Sequence, residues 1–197
     1  MGYSKFRKIQ DVVERFNLDM RLQRLFQAIE PVSPSDWLLE TLSVSELLPL
    51  TNEKSKAERV ISPILTEVAK VYTEKVSFFS GEQINVKPED DLSGECDFFF
   101  ALQPPKLYID APIISLTEAK DEDMDWGIAQ CAAQMLGAKY FNEARNKPIP
   151  IIFGCVTTGT DWQFLKFEND IYYVDTKIYT DLKEILGVWH HVINLFL

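Results

Sequence analysis

The sequence predicts an α/β (α+β) fold, a mixed central β-sheet flanked by helices. An N-terminal helical extension is expected over residues 1–50 and the main domain over residues 51–197. Three observations carry this expectation. The apolar residues recur at helical spacing through the first third, then gather into short strand-length runs after Val76. The order that results is helices, three strands, a helix, more strands and a final helix, which suits a mixed sheet covered by helices. The 197 residues, 46% of them hydrophobic, suffice for one large core.

Each element has its own signal. Phe6, Ile9, Val12, Val13 and Phe16 predict a helix over 4–17. After the Pro31–Pro34 break, Ser35 is placed to cap a helix that starts at Asp36 and stops near Pro49. A third helix is expected from about 52 to Tyr72, with Ala57, Val60, Ile61, Ile64, Leu65 and Val68 as its apolar stripe and Pro63 as a potential kink. Strand segments follow at 76–80 and 84–86 around a turn or bulge at Gly81, then at 96–102 and 112–118. Ile128, Cys131, Ala132, Met135 and Leu136 mark a helix over 124–145. The run 148–156 has little polar alternation, as a strand buried on both faces would. Residues 162–167 and 171–174 read as a hairpin turning at Glu168–Asp170, and 181–195 as an amphipathic helix.

No apolar run approaches the roughly 18 residues of a membrane span, so no membrane partner is expected. The basic start, Met1 to Lys8, lacks an apolar stretch after it, and the three cysteines are too few for a disulfide framework. A cytoplasmic setting is the expectation. The net charge of -10 is unevenly placed: residues 1–80 balance 11 basic against 11 acidic groups, whereas 81–197 carry 9 against 19. Acid crowds 89–97 and 118–125, which reads either as solvated loops or as a carboxylate-lined site for a hard cation.

Asp97, Glu118 and Lys120 favour the second reading. Alternate residues of a strand share a face, so Glu118 and Lys120 point the same way, with Ile114 and Leu116 before them. Asp97 lies among aromatic residues on the preceding strand, a costly place for a carboxylate without a partner. Neighbouring strands would bring Asp97 and Glu118 together, and two carboxylates, a carbonyl and waters make a site for Mg²⁺ or Mn²⁺. An adjacent lysine suits metal-assisted hydrolysis of a phosphodiester.

The pattern Gly94-Glu95-Cys96-Asp97, then Leu116-Thr117-Glu118-Ala119-Lys120, then a helix with Gln130, resembles the PD-(D/E)XK nuclease superfamily. The resemblance spans about residues 52–160 and is nearest to small bacterial members. It implies a restriction-endonuclease-like core, metal ligation by Asp97, Glu118 and the Ala119 carbonyl, and a water held by Lys120. It also implies that Glu58 binds through water or holds a second cation, and that Gln130 orients Lys120 or a phosphate. Cys96 stands where the family name places proline, a residue with no chemical part. Glu58 has a second reading as part of a capping box with Ser55. His190 and His191 read as structural.

The expected function is therefore a Mg²⁺-dependent (or Mn²⁺-dependent) nuclease acting on DNA or, second, RNA. The alternative is a catalytically silent module of the same fold that binds a partner. The pI of about 4.7 opposes nucleic-acid binding, so the local basic residues Lys5, Arg7, Lys8, Arg21 and Arg24, with Lys54, Lys56 and Arg59 around Glu58, are expected to form a contact face. A homodimer through the last helix, using Val188, Leu195 and Leu197, is a further expectation.

Overall fold

The computed structural model describes residues 2–197 and has the expected mixed α/β architecture. The helices are α1 (Ile9–Phe16), α2 (Asp36–Glu46), α3 (Glu53–Lys56), α4 (Ser62–Ala69), α5 (Met124–Ala144) and α6 (Leu182–Asn194). The strands are β1 (Asp19–Gln23), β2 (Ser77–Gln83), β3 (Glu95–Ala101), β4 (Ile113–Ala119), β5 (Ile151–Thr157), β6 (Trp162–Glu168) and β7 (Ile171–Tyr179). They form one seven-stranded sheet in the order β1-β7-β6-β5-β4-β3-β2. The β1–β7 and β4–β5 pairs are parallel and the others antiparallel.

The central strands β3, β4 and β5 are buried on both faces, which explains their nearly unbroken apolar runs, whereas the edge strand β1 is exposed. Along β3, Phe99 packs with α1 and α5, while Phe98 and Phe100 pack with α4 and α6 on the opposite side. Small residues let α5 lie between the sheet and α1. A Cβ on Gly154 would come within 2.5 Å of Met135 Sδ, and one on Gly137 within 2.3 Å of the Tyr3 hydroxyl. The β6–β7 turn holds Asn169 and Asp170 at φ 52° and 60°, a conformation that these two side chains tolerate.

Several boundaries differ from expectation. The first helix starts at Ile9 rather than near residue 4, because the Asp11 carboxylate accepts the Arg7 and Lys8 backbone N–H groups. Residues Tyr3–Lys5 form a separate 3₁₀ turn, whose Tyr3 hydroxyl donates to the Ile84 carbonyl at 2.8 Å. The segment expected as a helical extension contains β1, whose Asp19-Met20-Arg21-Leu22-Gln23 alternation is a strand signal. Tyr3, Phe6 and Val12 also join the core cluster of α5, so residues 2–50 are built into the sheet and both of its covers.

The helix over Pro63 is not simply kinked. Between α3 and α4 the chain makes a π turn, Ala57–Ile61. Pro63 has no N–H for the Arg59 carbonyl, and the Ser45 hydroxyl donates to it at 2.9 Å. Helical structure ends at Ala69 rather than Tyr72. Ile114 does not share a face with Leu116. The register shifts opposite Phe100 and Ala101, so Ile114 packs in the α4–α6 layer and Leu116 in the α5 layer. Val188 is fully buried in the α6 layer and is not available to a dimer face, while Leu195 and Leu197 are exposed. Among the described residues no helix is long and apolar enough to cross a membrane.

Candidate active site

The site forms where β3 and β4 part. The last residues paired between them at this end are Phe98 and Thr117. Continuing that register sets Asp97 across from Glu118. Instead of a further ladder bond, Asp97 Oδ2 accepts the Ala119 N–H at 2.8 Å. Gly81 of β2, at φ +68°, lies beside Asp97, and residues 80 and 82 remain paired with 98 and 96, so β2 runs on without the expected turn or bulge.

Glu118 and Lys120 sit on the α5 side, 1% and 5% exposed. Lys120 Nζ lies 2.6 Å from Glu118 Oε1, and Gln134 Nε2 donates to Glu118 Oε2 at 2.6 Å. The Lys120 backbone N–H donates to the Thr157 carbonyl at 2.9 Å, which extends β4's attachment to β5 just where the ammonium must be aimed. Gly127 lets α5 close over this side chain: a Cβ there would come within 2.8 Å of Lys120 Cγ and 2.4 Å of Val156 Cγ1. The Trp126 ring centroid lies 5.0 Å from Lys120 Nζ.

A cavity of about 410 Å³ opens onto these groups, walled by Asp97, Glu118, Lys120, Trp126, Gln130, Glu53 and Glu95. Burial, followed by the charge of Asp97, pushes the Glu118 carboxyl up to about 8. Burial also pushes Asp97 up to about 6, against the pull of the Ala119 N–H and the Lys120 charge. For Lys120, burial disfavours the ammonium, and the Glu118 carboxylate more than offsets it, so its proton is held more tightly. Burial is the largest cause for both acids, so the cavity favours their protonated forms.

The residues expected at the site divide. Asp97, Glu118, Lys120 and Gln130 wall one cavity. The Ala119 N–H donates to Asp97, while Ala119 itself is not on the wall of this cavity. Glu58 is apart: its side chain is 62% exposed, 3.8 Å from Lys54, and it lines an adjoining cavity of about 450 Å³ whose wall also includes Asp97. Glu53, one helical turn earlier, stands at the site instead, with Oε2 3.7 Å from Lys120 Nζ. Glu58 does not cap its helix either; Asn52 and Ser55 do. Gln134, not Gln130, makes the bond to Glu118. Both lie on α5, but residue 134 is fully buried against β4 while residue 130 faces the cavity. The i, i+4 spacing showed that they share a face, and only the depth of α5 in the core separates their roles.

The basic face expected near Glu58 is engaged within the molecule. Lys56 Nζ contacts Asp121 Oδ1 at 2.6 Å, Arg59 donates to the Pro49 carbonyl at 2.9 Å, and Lys54 pairs with Glu58. The acidic runs are partly structural as well. Asp91 holds Lys5 and Arg15 at 2.7 and 2.9 Å, and Asp123 caps α5. His190 bonds to the Tyr72 hydroxyl at 2.8 Å and His191 packs edge-on against Phe26, in keeping with structural roles.

Among the described residues no three His, Cys, Asp or Glu side chains cluster at metal-binding spacing. Two carboxylates, Asp97 and Glu118, are the residues that could hold an ion such as Mg²⁺. That ion dehydrates reluctantly and is held by one or two carboxylates with water and substrate phosphate completing its shell. Neither a protein-family model, nor a curated protein, nor a solved structure matches this chain.

Proposed function

We infer that this chain is a metal-dependent nuclease of the restriction-endonuclease-like type. The observation that carries the reading is one cavity shared by Asp97 and Glu118, with the Lys120 ammonium 2.6 Å from Glu118. Two carboxyls whose protons burial holds above their ordinary range share this cavity, and such perturbed groups cluster at reacting sites. In this reading Asp97 and Glu118 hold Mg²⁺ or Mn²⁺ together with the Ala119 carbonyl. When bound, the ion polarises the phosphate and stabilises the charge that develops on its oxygens.

The remaining work belongs to the chain itself. Lys120 holds the attacking water by hydrogen bond and offsets phosphate charge. Gln134 fixes the Glu118 carboxylate, and Glu118 in turn fixes Lys120. Gln130, on the cavity wall, is placed to donate to a phosphate oxygen. Water adds to phosphorus as the phosphorus–ester oxygen bond breaks; the water gives up a proton to solvent and the departing oxygen takes one from it.

The test is incubation of the purified protein with single- and double-stranded DNA and RNA in Mg²⁺ or Mn²⁺. Asp97→Ala and Lys120→Ala serve as controls. Cleavage by the wild type that both substitutions abolish supports the reading; equal cleavage by all three overturns it. A second reading is a silent binding module of the same fold. It is favoured by the engagement of both Glu118 oxygens, by Lys120 and by Gln134, as in a structural ion pair. It predicts nucleic-acid or protein binding with no cleavage in any metal.

A further inference from the structure

Trp126 walls the cavity and has no part in the chemistry above. It lies in the first turn of α5, where the Asp123 carboxylate accepts its backbone N–H at 3.0 Å. Gly127, the next residue, lets this end of the helix close on the Lys120 stem.

Two cations meet the Trp126 ring. The Lys120 ammonium lies 5.0 Å from its centroid and the Arg7 guanidinium 3.9 Å from it. The indole N–H is buried and has no hydrogen-bond partner among the described residues. A buried indole N–H ordinarily finds an acceptor. The placement of Trp126 is therefore set by what its ring touches and not by a hydrogen bond of its side chain.

The surroundings of the ammonium show what a ring supplies there. Lys120 Nζ has Glu118 Oε1 at 2.6 Å and Glu53 Oε2 at 3.7 Å. An ammonium carries three N–H donors. Another carboxylate in place of the ring would take a further donor and add charge to a cavity already walled by Glu53, Glu95, Asp97 and Glu118. The ring quadrupole attracts the ammonium without taking a donor in an ordinary hydrogen bond, so one stays available for water.

We propose that Trp126 is a positioning residue for Lys120: its ring seats the ammonium beside Glu118 with a donor left to the cavity, and Arg7, stacked on that ring, holds the ring in place. The assignment rests on the nuclease reading and names the groups that aim its water-holding lysine. Gln134 fixes the Glu118 carboxylate from one side, and Trp126 seats the ammonium paired with it.

The experiment compares Trp126→Leu, which keeps apolar bulk without a ring, with Trp126→Phe, which keeps a ring face. One readout is cleavage kinetics in Mn²⁺ on whichever of single- or double-stranded DNA or RNA the wild type cuts. The other is labelling of Lys120 in the metal-free protein by an amine-reactive reagent, followed by peptide mass spectrometry. Trp126→Leu should lower kcat by about tenfold, as expected for loss of a desolvated cation–ring contact, with KM changed by less than about twofold. Trp126→Phe should recover most of that loss. Arg7→Ala, an exposed substitution that reports on the ring even if Trp126→Leu does not fold, should lower kcat by about threefold. Lys120 should be labelled faster in Trp126→Leu than in the wild type, and no faster in Trp126→Phe. Equal losses of kcat in the Leu and Phe variants, or kcat and labelling both unchanged in Trp126→Leu, overturn the assignment. Cleavage that still requires Asp97 then leaves the nuclease reading standing. A wild type that cuts no nucleic acid overturns the nuclease reading instead, and labelling alone decides whether the ring seats Lys120.

Discussion

The Lys120 ammonium and the Glu118 carboxylate form a buried ion pair at 2.6 Å, two residues apart on the end of one strand. Strand geometry puts them on one face, and α5 then closes over them. Such a pair is a poor stabiliser by itself, because desolvating two charges offsets most of their attraction.

The first prediction concerns pH in the metal-free protein. The folded-state carboxyls of Asp97 and Glu118 are raised, to about 6 and about 8, above ordinary values of 3.8 and 4.5. Over that window the folded chain binds more protons than the unfolded one, so their contribution is present at low pH and lost as pH rises through 6 and then 8. Thermal melts in chelator should show this decline between about pH 5 and pH 8. Glu118→Gln should flatten its upper part and Asp97→Asn its lower part; a wild-type slope retained in both would rule it out.

Cation binding should reverse that loss. At pH 8, Mn²⁺ at 100 times its dissociation constant stabilises a one-site protein by about 2.7 kcal/mol. The melting temperature of the wild type should therefore rise with added Mn²⁺ and that of Asp97→Asn should not. An equal rise in both would place the ion elsewhere.

Gln134→Leu removes a bond to a charged oxygen in a dry environment, which costs about 1.5–3 kcal/mol. Denaturant unfolding should show this loss, and cleavage should fall with it as Glu118 and Lys120 lose their alignment. Gln130→Ala, on the cavity wall, should leave stability within about 0.5 kcal/mol. Equal destabilisation by the two would contradict the assigned geometry.

The two helix acids should also separate. Glu58 is an exposed partner of Lys54, so Glu58→Ala should change stability by less than about 0.5 kcal/mol. Glu53→Ala removes the carboxylate 3.7 Å from Lys120 and should lower the metal concentration dependence of any cleavage more than Glu58→Ala does. Titration of activity against Mn²⁺ for both variants checks the order.

Gly127→Ala tests how tightly α5 covers the site. The added methyl meets Val156 and the Lys120 stem, and overpacking of this kind costs about 1–3 kcal/mol. Unfolding measurements should show that loss, with cleavage reduced more than by a remote substitution of equal cost.

Read by itself, the chain already specified its mixed α/β class, since strand and helix periods are local properties of the hydrophobic pattern. It also identified Asp97 as a carboxylate needing a partner and set Glu118 and Lys120 on one face, because alternation along a strand needs no tertiary information. What tertiary structure decided were relations between elements. The 53–69 helical run presents Glu53 rather than Glu58 to Lys120, because a π turn and the seating of α3 set its rotation. The depth of α5 chose Gln134 over Gln130, and packing took Val188 into the core. The pairing of β1 with β7 drew residues 19–23 into the sheet, because strand order is set by which faces can be buried together and not by the strands' own sequences.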